Sequence, residues 1–301
     1  MATYTADGRK VNVMAHVYLP VHLQEVPGSG ADGIGLMEAG AFAAGDDFPS
    51  QEERLLKALA EAQMSAGDLH VTVFPSSVSA GGKGAGGRTA PPELYRWQLR
   101  AILRAAAGGS FELALPMVGQ VSEIMEFKSV MAGVRAELEE EGIPCGLPAV
   151  GIMVEVPSVV PTIEVIAYES GFFVVGKNFL RFLMADDNLA GNETDFLPYY
   201  GQAFLIQLQV LTEKLSGRKH GVRFCAPFVK DPLSIPLLVG LGISQIVAPP
   251  GLIHGIKKAV ESINYRDARL LAAKAISYWR PDQAREYVRE RLVKLKYVFE
   301  G

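Results

Sequence analysis

Short, nearly continuous apolar segments recur along the chain, and two of them show the arrangement most clearly. Segments 150–156 and 172–175 have the composition expected of strands that are buried on both faces. A helical segment separates them, so the two strands are predicted to be parallel and to end at the same edge of a sheet. Glu155 lies at the end of the first strand, and Lys177 and Asn178 follow the second. In parallel α/β proteins this edge binds ligands.

The same alternation extends over most of the chain. Strands are predicted at 11–20, 31–36, 70–74, 111–118, 150–156, 172–175, 222–226 and 245–248. Helices are predicted after segment 156, with Pro161 in the first turn, and at 49–63, 94–107, 121–141, 200–215 and 233–241. This alternation, without a break in composition, favours one (β/α)8 TIM barrel of the α/β class over a doubly wound sheet. The charged, leucine-containing tail at 267–300 predicts one or two extra helices outside the barrel.

Composition narrows the function classes. The 301 residues are 49% hydrophobic and 21% charged, with a net charge of −4, which argues against nucleic acid as a partner. No apolar run reaches the roughly 18 residues of a membrane span, and segment 1–7 does not look like a signal peptide. We therefore expect no membrane contact and a cytoplasmic location. The two cysteines, Cys145 and Cys225, predict neither a disulfide framework nor a zinc site.

Segment 76–92 is rich in Gly, Ser and Pro and follows a predicted strand. Such a composition predicts a loop at the barrel rim. Two interpretations stay open, a surface loop without function and a lid that faces a phosphate group.

The order of short motifs along the chain is specific. The motifs are DGIGL from Asp32, QLRAIL from Gln98, LPMV from Leu115, GIMVEVPS from Gly151, FFVVGKN from Phe172, FCAP from Phe224 and LLVGLGISQIVAPP from Leu237. This succession resembles the phosphoenolpyruvate (PEP)-binding barrel of the PEP-utilising enzymes, such as enzyme I of the bacterial sugar phosphotransferase system, phosphoenolpyruvate synthase and pyruvate phosphate dikinase. The resemblance implies one domain over 1–301, with a barrel at about 9–264, helices at about 265–301 and no phosphohistidine domain.

The resemblance also implies a chemistry. In the family, Mg²⁺ held by a Glu and an Asp binds PEP, arginines bind its phosphate and carboxylate, and a Cys protonates the enolate to give pyruvate. Oxygen ligands suit a hard cation, and the planar guanidinium suits phosphate. By position, the resemblance makes Glu155 the first metal ligand, Asn178 a substrate ligand and Cys225 the proton donor. It further implies that the carboxyl-terminal helices could form a homodimer.

Several positions depart from the family pattern. The second metal-ligand position is Phe179, so we expect Mg²⁺ to bind weakly or not at all. Lys177 replaces a Thr of the same motif. Glu38 and Phe74 stand where the family has phosphate-binding arginines.

A third arginine is missing after the sixth strand, where Asn188 follows Asp187. Arg88, in the loop at 76–92, could replace one of the lost arginines, as could Lys83 or Arg181. Each charge-assisted contact to a buried anion contributes on the order of 1.5–3 kcal/mol, so the combined losses predict much weaker PEP binding. We therefore expect ordinary PEP phosphoryl transfer to be lost.

Three residues are the catalytic candidates, each with an alternative. Lys177 could attack a carbonyl if its pKa is lowered beside Phe74 and Phe179, or it could be a rim lysine paired with an acidic neighbour such as Asp186, Asp187 or Glu38. Cys225 is a proton donor or a small buried side chain. Glu155 is a base or a metal ligand, since an unpaired carboxylate in a buried strand is unfavourable.

Three functions follow from these residues. The first is a transferase- or lyase-like barrel that binds or acts on a small keto-acid or enolate-type carboxylic acid. The second is a non-catalytic, regulatory barrel that binds a metabolite or a protein. The third is a PEP-protein phosphotransferase that works with a phosphohistidine domain on another chain.

Overall fold

The computed structural model describes residues 2–42, 47–75, 95–186, 195–217 and 221–297. The strands are β1 (Thr3–Tyr4), β2 (Lys10–Val17), β3 (Ile34–Glu38), β4 (Val71–Phe74), β5 (Phe111–Leu115), β6 (Ala149–Val154), β7 (Phe173–Val175), β8 (Val222–Phe224) and β9 (Gln245–Ala248). The helices are α1 (Pro20–Ser29), α2 (Phe48–Ala66), α3 (Arg96–Ala105), α4 (Val121–Glu140), α5 (Ile163–Ile166), α6 (Asn178–Met184), α7 (Gln202–Lys214), α8 (Ser234–Gly240), α9 (Ile253–Glu261), α10 (Tyr265–Ala275) and α11 (Pro281–Lys294). None of the helices in these ranges combines the length and apolar character needed to cross a membrane.

Strands β2 to β9 form a closed parallel barrel. Each strand pairs with the next in the chain, and β9 pairs back with β2 through Asn12 opposite Gln245 and Ala15 opposite Ala248. A doubly wound sheet would leave two unpaired edges, so this closure confirms the TIM barrel. The short strand β1 runs antiparallel to β2 and lies outside the eight-stranded ring.

The predicted strands match β2 to β9 in order, and the differences have local causes. The first predicted strand ends at Val17 because Pro20 begins α1, a helix that the sequence analysis missed. The predicted helix after β6 is instead a 3-10 turn at Pro157–Val159 followed by the single-turn helix α5. Pro161 lies between these two pieces, and its missing N–H explains the interruption.

The lowest layer inside the barrel is polar. Arg223 on β8 pairs with Glu112 on β5 at 2.7 Å, and both side chains are almost completely buried. Its guanidinium also donates to Thr72 Oγ1 and to Gln245 Oε1, each at 2.7 Å, and lies 4.5 Å from the centre of the Phe172 ring. Burial alone would raise the pKa of Glu112, but the hydrogen bond and charge of Arg223 hold that pKa below its ordinary value.

An apolar layer lies above this polar one. A Cβ on Gly151 would lie 2.5 Å from the Phe172 ring, so the missing side chain makes room for that ring inside the barrel. Together the two layers fill the barrel interior below the mouth. The buried apolar layer consists of Met14, Leu36, Ala114, Met153, Phe172, Val174, Cys225 and Val247.

Helices α10 and α11 pack outside the barrel, as the tail composition predicts. A Cβ on Gly240 would lie 2.0 Å from the carbonyl oxygen of Ala268, so α8 and α10 approach closely only because residue 240 is glycine. The buried carboxylate of Asp231 accepts a hydrogen bond from Tyr200 at 2.9 Å and pairs with Arg285 of α11 at 3.5 Å. These contacts fix the two helices against the outer side of the barrel.

We expect Glu112→Gln to lower the free energy of unfolding by about 3 kcal/mol at pH 7, because Arg223 is left buried without a counter-charge. The folded-state pKa of Glu112 lies below the ordinary 4.5, so its contribution is present above that pH and is lost as the pH falls. Urea denaturation of both proteins should therefore give curves that converge in acid. Asp282→Asn, in the exposed pair with Arg280, is the control and should change nothing measurable. A loss at Glu112 no larger than in this control would contradict the account.

Candidate functional site

A cavity of about 310 Å³ opens at the carboxyl ends of the barrel strands. Its floor is the apolar layer, through Leu36, Met153, Cys225 and Val247. All eight barrel strands or the residues just after them contribute to its wall, as expected for a ligand site in this fold. The remaining described lining residues are His16, Tyr18, Glu38, Phe74, Pro75, Tyr95, Pro116, Met117, Glu155, Lys177, Asn178, Ala226, Pro227, Val229, Lys230 and Pro249.

Glu155 is the most constrained polar group in this cavity. It follows β6 directly, and its side chain is only 3% exposed. Asn178 Nδ2 donates to one carboxylate oxygen at 2.7 Å, and the backbone N–H of Met117 donates to the other at 3.2 Å. A Cβ on Gly176 would lie 2.9 Å from the Glu155 Cγ, so a glycine at the end of β7 leaves space for the carboxylate.

The backbone of Met117 is bent to make one of these hydrogen bonds. Its φ of 57° lies in the left-handed region, which is unfavourable for a residue with a side chain. The bend turns the Met117 N–H toward Glu155 in the loop between β5 and α4. A strained residue that contacts a buried carboxylate at the rim is typical of functional sites.

Burial sets the protonation behaviour of the carboxyl group. It raises the pKa of Glu155 above the ordinary value, although the hydrogen bonds from Asn178 and Met117 and the charges of Lys177 and Arg181 act in the opposite direction. Glu155 therefore keeps or accepts a proton more readily than an exposed glutamate.

Cys225 lies at the base of the same cavity, directly after β8. Burial raises the pKa of its thiol to about 12, with the nearby Lys177 charge lowering it and the Glu155 charge raising it further. At neutral pH the thiol is thus protonated, so it is a poor nucleophile and a possible proton donor. Cys145, the other cysteine, is half-buried and does not line the cavity.

Three of the predicted substrate-binding residues, Glu38, Phe74 and Asn178, line the cavity together with Lys177. Lys177 is exposed at the cavity edge, and no ion pair joins it to Glu38. The prediction that Lys177 lies beside both Phe74 and Phe179 is wrong for Phe179. Phe74 lines the cavity, but Phe179 is fully buried elsewhere, with its ring centre 6.1 Å from that of Phe204 on α7.

The position of Phe179 also bears on whether this site can bind Mg²⁺. Its side chain packs between α6 and α7, so the second metal-ligand position implied by the resemblance does not face the cavity. Both oxygens of Glu155 accept hydrogen bonds, and no cluster of three or more His, Cys, Asp or Glu side chains suited to a metal occurs in the described part of the chain. Of the two metal-ligand positions implied by the resemblance, Glu155 lines the cavity and Phe179 does not.

Two further predicted substrate-binding residues, Arg88 and Asn188, lie outside the described residues, as do Lys83 and Asp187. The sequence analysis missed Met117 and Lys230 as cavity residues. Both follow barrel strands, β5 and β8, which is the signal that could have identified them.

Comparisons with known proteins agree with the motif order. The family described as "PEP-utilising enzyme, PEP-binding domain" matches residues 79–265 of this chain. The chain belongs to this PEP-utilising enzyme family. The motif succession thus reflects true membership, and the match includes β5 to β9, which carry Glu155, Asn178 and Cys225.

Individual relatives cover nearly all of the chain. A phosphoenolpyruvate-protein phosphotransferase of Staphylococcus carnosus is 28% identical over 95% of this chain and 53% of its own length. A phosphoenolpyruvate-dependent phosphotransferase system protein of Salmonella typhimurium is 30% identical over 94% of this chain and 40% of its own length. The chain thus spans about half of the first relative and less of the second. Among solved structures, an HpcH/HpaI aldolase from Desulfitobacterium hafniense aligns with a TM-score of 0.45 and 11% identity over 79% of this chain and 85% of that one.

We expect Glu155→Gln to lose less stability than the wild type as the pH rises from 4 to 8. The folded-state pKa of Glu155 is raised, so wild-type stability falls as the pH rises above 4.5, whereas glutamine cannot ionise. Between pH 4 and the plateau above the folded-state pKa, the difference in unfolding free energy should change in favour of the variant by about 1.4 kcal/mol for each unit by which the pKa is raised. Denaturation from pH 4 to 8 measures it, with the exposed Glu126→Gln of α4 as control. Parallel curves for wild type and Glu155→Gln would disprove this account.

Proposed function

We propose that this barrel binds a small keto acid of the pyruvate type at its mouth and exchanges protons at the carbon next to the carbonyl. Ordinary phosphoryl transfer from PEP, the activity in the names of the relatives, is not part of this proposal. The observation that carries it is the presence of two buried proton-transfer groups, Glu155 and Cys225, in one cavity that is edged by Lys177.

The two groups have complementary properties. A carboxylate whose pKa is raised works better as a base near neutral pH, and a protonated thiol can return a proton. Glu155 would take a proton from the carbon next to the carbonyl; the C–H electron pair forms the C=C bond of an enolate, and the carbonyl π electrons move to oxygen. The Cys225 thiol then protonates the same carbon, solvent reprotonates the thiolate, and Glu155 releases its proton to solvent.

Polar groups at the rim can bind the acid itself. The ammonium groups of Lys177 and Lys230 and the amide of Asn178 line the cavity and suit a carboxylate and an enolate oxygen. Since Lys177 is exposed, a role as counter-ion is better supported than attack on the carbonyl through a desolvated amine.

The lining of this cavity suits a phosphate group less well than a carboxylate. None of the described lining residues is an arginine, and Glu38 places a carboxylate on the same wall. A phosphate group of nearly two negative charges would be repelled by Glu38 and would lack the bidentate contacts that guanidinium groups make. This lining supports binding of the unphosphorylated acid over PEP.

We expect the protein to exchange the methyl protons of pyruvate for deuterium in D₂O, followed as loss of the methyl signal by ¹H NMR. Cys225→Ala should slow this exchange by about a hundredfold, the lower end of what a general acid or base contributes. Cys145→Ala is the matched control, because it removes the other thiol, which lies outside the cavity, and should leave the rate unchanged.

The outcomes separate the alternatives. Pyruvate binding without any exchange would favour the non-catalytic, regulatory barrel. Exchange that is equally fast in Cys225→Ala would contradict the role of the thiol. Transfer of phosphate from PEP to an added phosphohistidine domain would instead support a phosphotransferase that works with a second chain.

A further inference from the structure

A second and larger cavity lies at the opposite end of the barrel, at the amino ends of the strands. Its volume is about 810 Å³, compared with about 310 Å³ at the mouth. Helices α7, α8 and α10 and the starts of β2, β8 and β9 enclose it. The volume falls within the range of about 300–1,000 Å³ that is typical of small-molecule sites.

Positive charge is concentrated in this cavity. Arg9, Lys10 and Arg269 line it, and Glu213 is the one carboxylate among its described lining residues. Glu213 also accepts a hydrogen bond from Gln209 at 2.8 Å. Because the whole chain has a net charge of −4, this local excess of cations is not a consequence of overall composition. Such a cavity attracts anions.

Contacts with Tyr265 and Gly242 fix the guanidinium group of Arg9, and its Nε–H has no partner among the described residues. Its guanidinium carbon lies 3.9 Å from the centre of the Tyr265 ring, and Nη2 donates to the carbonyl oxygen of Gly242 at 3.1 Å. Its Nε–H is buried and has no hydrogen-bond partner among the described residues. A buried donor without a partner on a charged group is unfavourable.

Arg269 lies on the same helix as the aromatic ring that supports Arg9. Tyr265 and Arg269 are four residues apart on α10, so both side chains project from one face of the helix. Arg269 is exposed, and the described residues provide it with no counter-ion. Arg9, just before β2, and Arg269 of α10 therefore line the same cavity.

Neutral hydrogen-bonding groups complete the wall. The side chains of Asn12, Ser244 and Gln245 line the cavity. A Cβ on Gly221 would lie 2.6 Å from the Ser244 hydroxyl, so the glycine preserves the space around that hydroxyl. These groups can bind the polar remainder of an anionic ligand.

We propose that this cavity is a second binding site, for a small phosphorylated metabolite whose phosphate is bound by Arg9, Lys10 and Arg269. Two guanidinium groups and one ammonium group suit a phosphate better than a single carboxylate. The site is separate from the mouth of the barrel and does not depend on the keto-acid proposal.

The test is calorimetric titration of the full chain with pyrophosphate at low ionic strength. Arg269→Gln should weaken binding about tenfold or more, equivalent to about 1.4 kcal/mol, and Lys10→Gln should also weaken it. Arg266→Gln is the matched control, since Arg266 is exposed on the same helix, has the same charge and does not line the cavity. It should leave the affinity within about twofold of wild type, since exposed charges outside the site are largely screened.

Three results would overturn the proposal. These are no binding of pyrophosphate, equal weakening by Arg269→Gln and Arg266→Gln, and loss of binding in Lys177→Gln, which would place the probe at the mouth instead. Retained binding in Lys177→Gln together with weakening in Arg269→Gln supports the second site.

Discussion

The burial of one carboxylate, that of Glu155, is the constraint around which the mouth of the barrel is organised. A buried carboxylate is unfavourable unless neighbouring groups hydrogen-bond to it. The chain meets this requirement with the Asn178 amide, a strained backbone at Met117 and a glycine at 176 that leaves room for the side chain. Residues from three successive strand ends are thus fixed relative to one another by the needs of a single group.

The interior below supports this arrangement in layers. The Arg223–Glu112 pair fixes the polar layer, and the apolar layer above it excludes water from the base of the cavity. Cys225 lies two residues after Arg223, in the extended chain that continues β8. Side chains two residues apart in a strand lie on the same face, so both point into the barrel. The thiol is therefore buried, which raises its pKa and keeps it protonated. Packing and chemistry at the mouth have the same physical origin, the exclusion of water.

Much of the barrel could be predicted because parallel strands that are buried on both faces read as continuous apolar runs. Glu155 was identifiable for the same reason, as a carboxylate within such a run. Helix α1 was missed because Pro20 and Pro27 argue against a helix, although the first serves as its starting residue. The direction of Phe179 was predicted wrongly because a side chain at the start of a short helix can face either the cavity or the core. Sequence spacing does not decide between them.

The polar cavity at the amino ends of the strands could not be predicted from the sequence. Arg9, Gln209 and Arg269 are far apart in the chain, and only the closure of the barrel and the docking of α10 bring them together. Basic residues scattered in this way carry no motif. Residues that follow barrel strands, in contrast, share a sequence signal, which explains why the mouth was predicted better than the opposite end.

We propose that the mouth binds an unphosphorylated acid and does not bind PEP in the manner of its family. The decisive experiment is calorimetric titration with PEP, pyruvate and oxalate, each with and without Mg²⁺. We expect pyruvate or oxalate to bind without Mg²⁺ and PEP to bind weakly or not at all. Magnesium-dependent binding of PEP in the micromolar range would contradict it, and would mean that other cations have replaced the missing arginines.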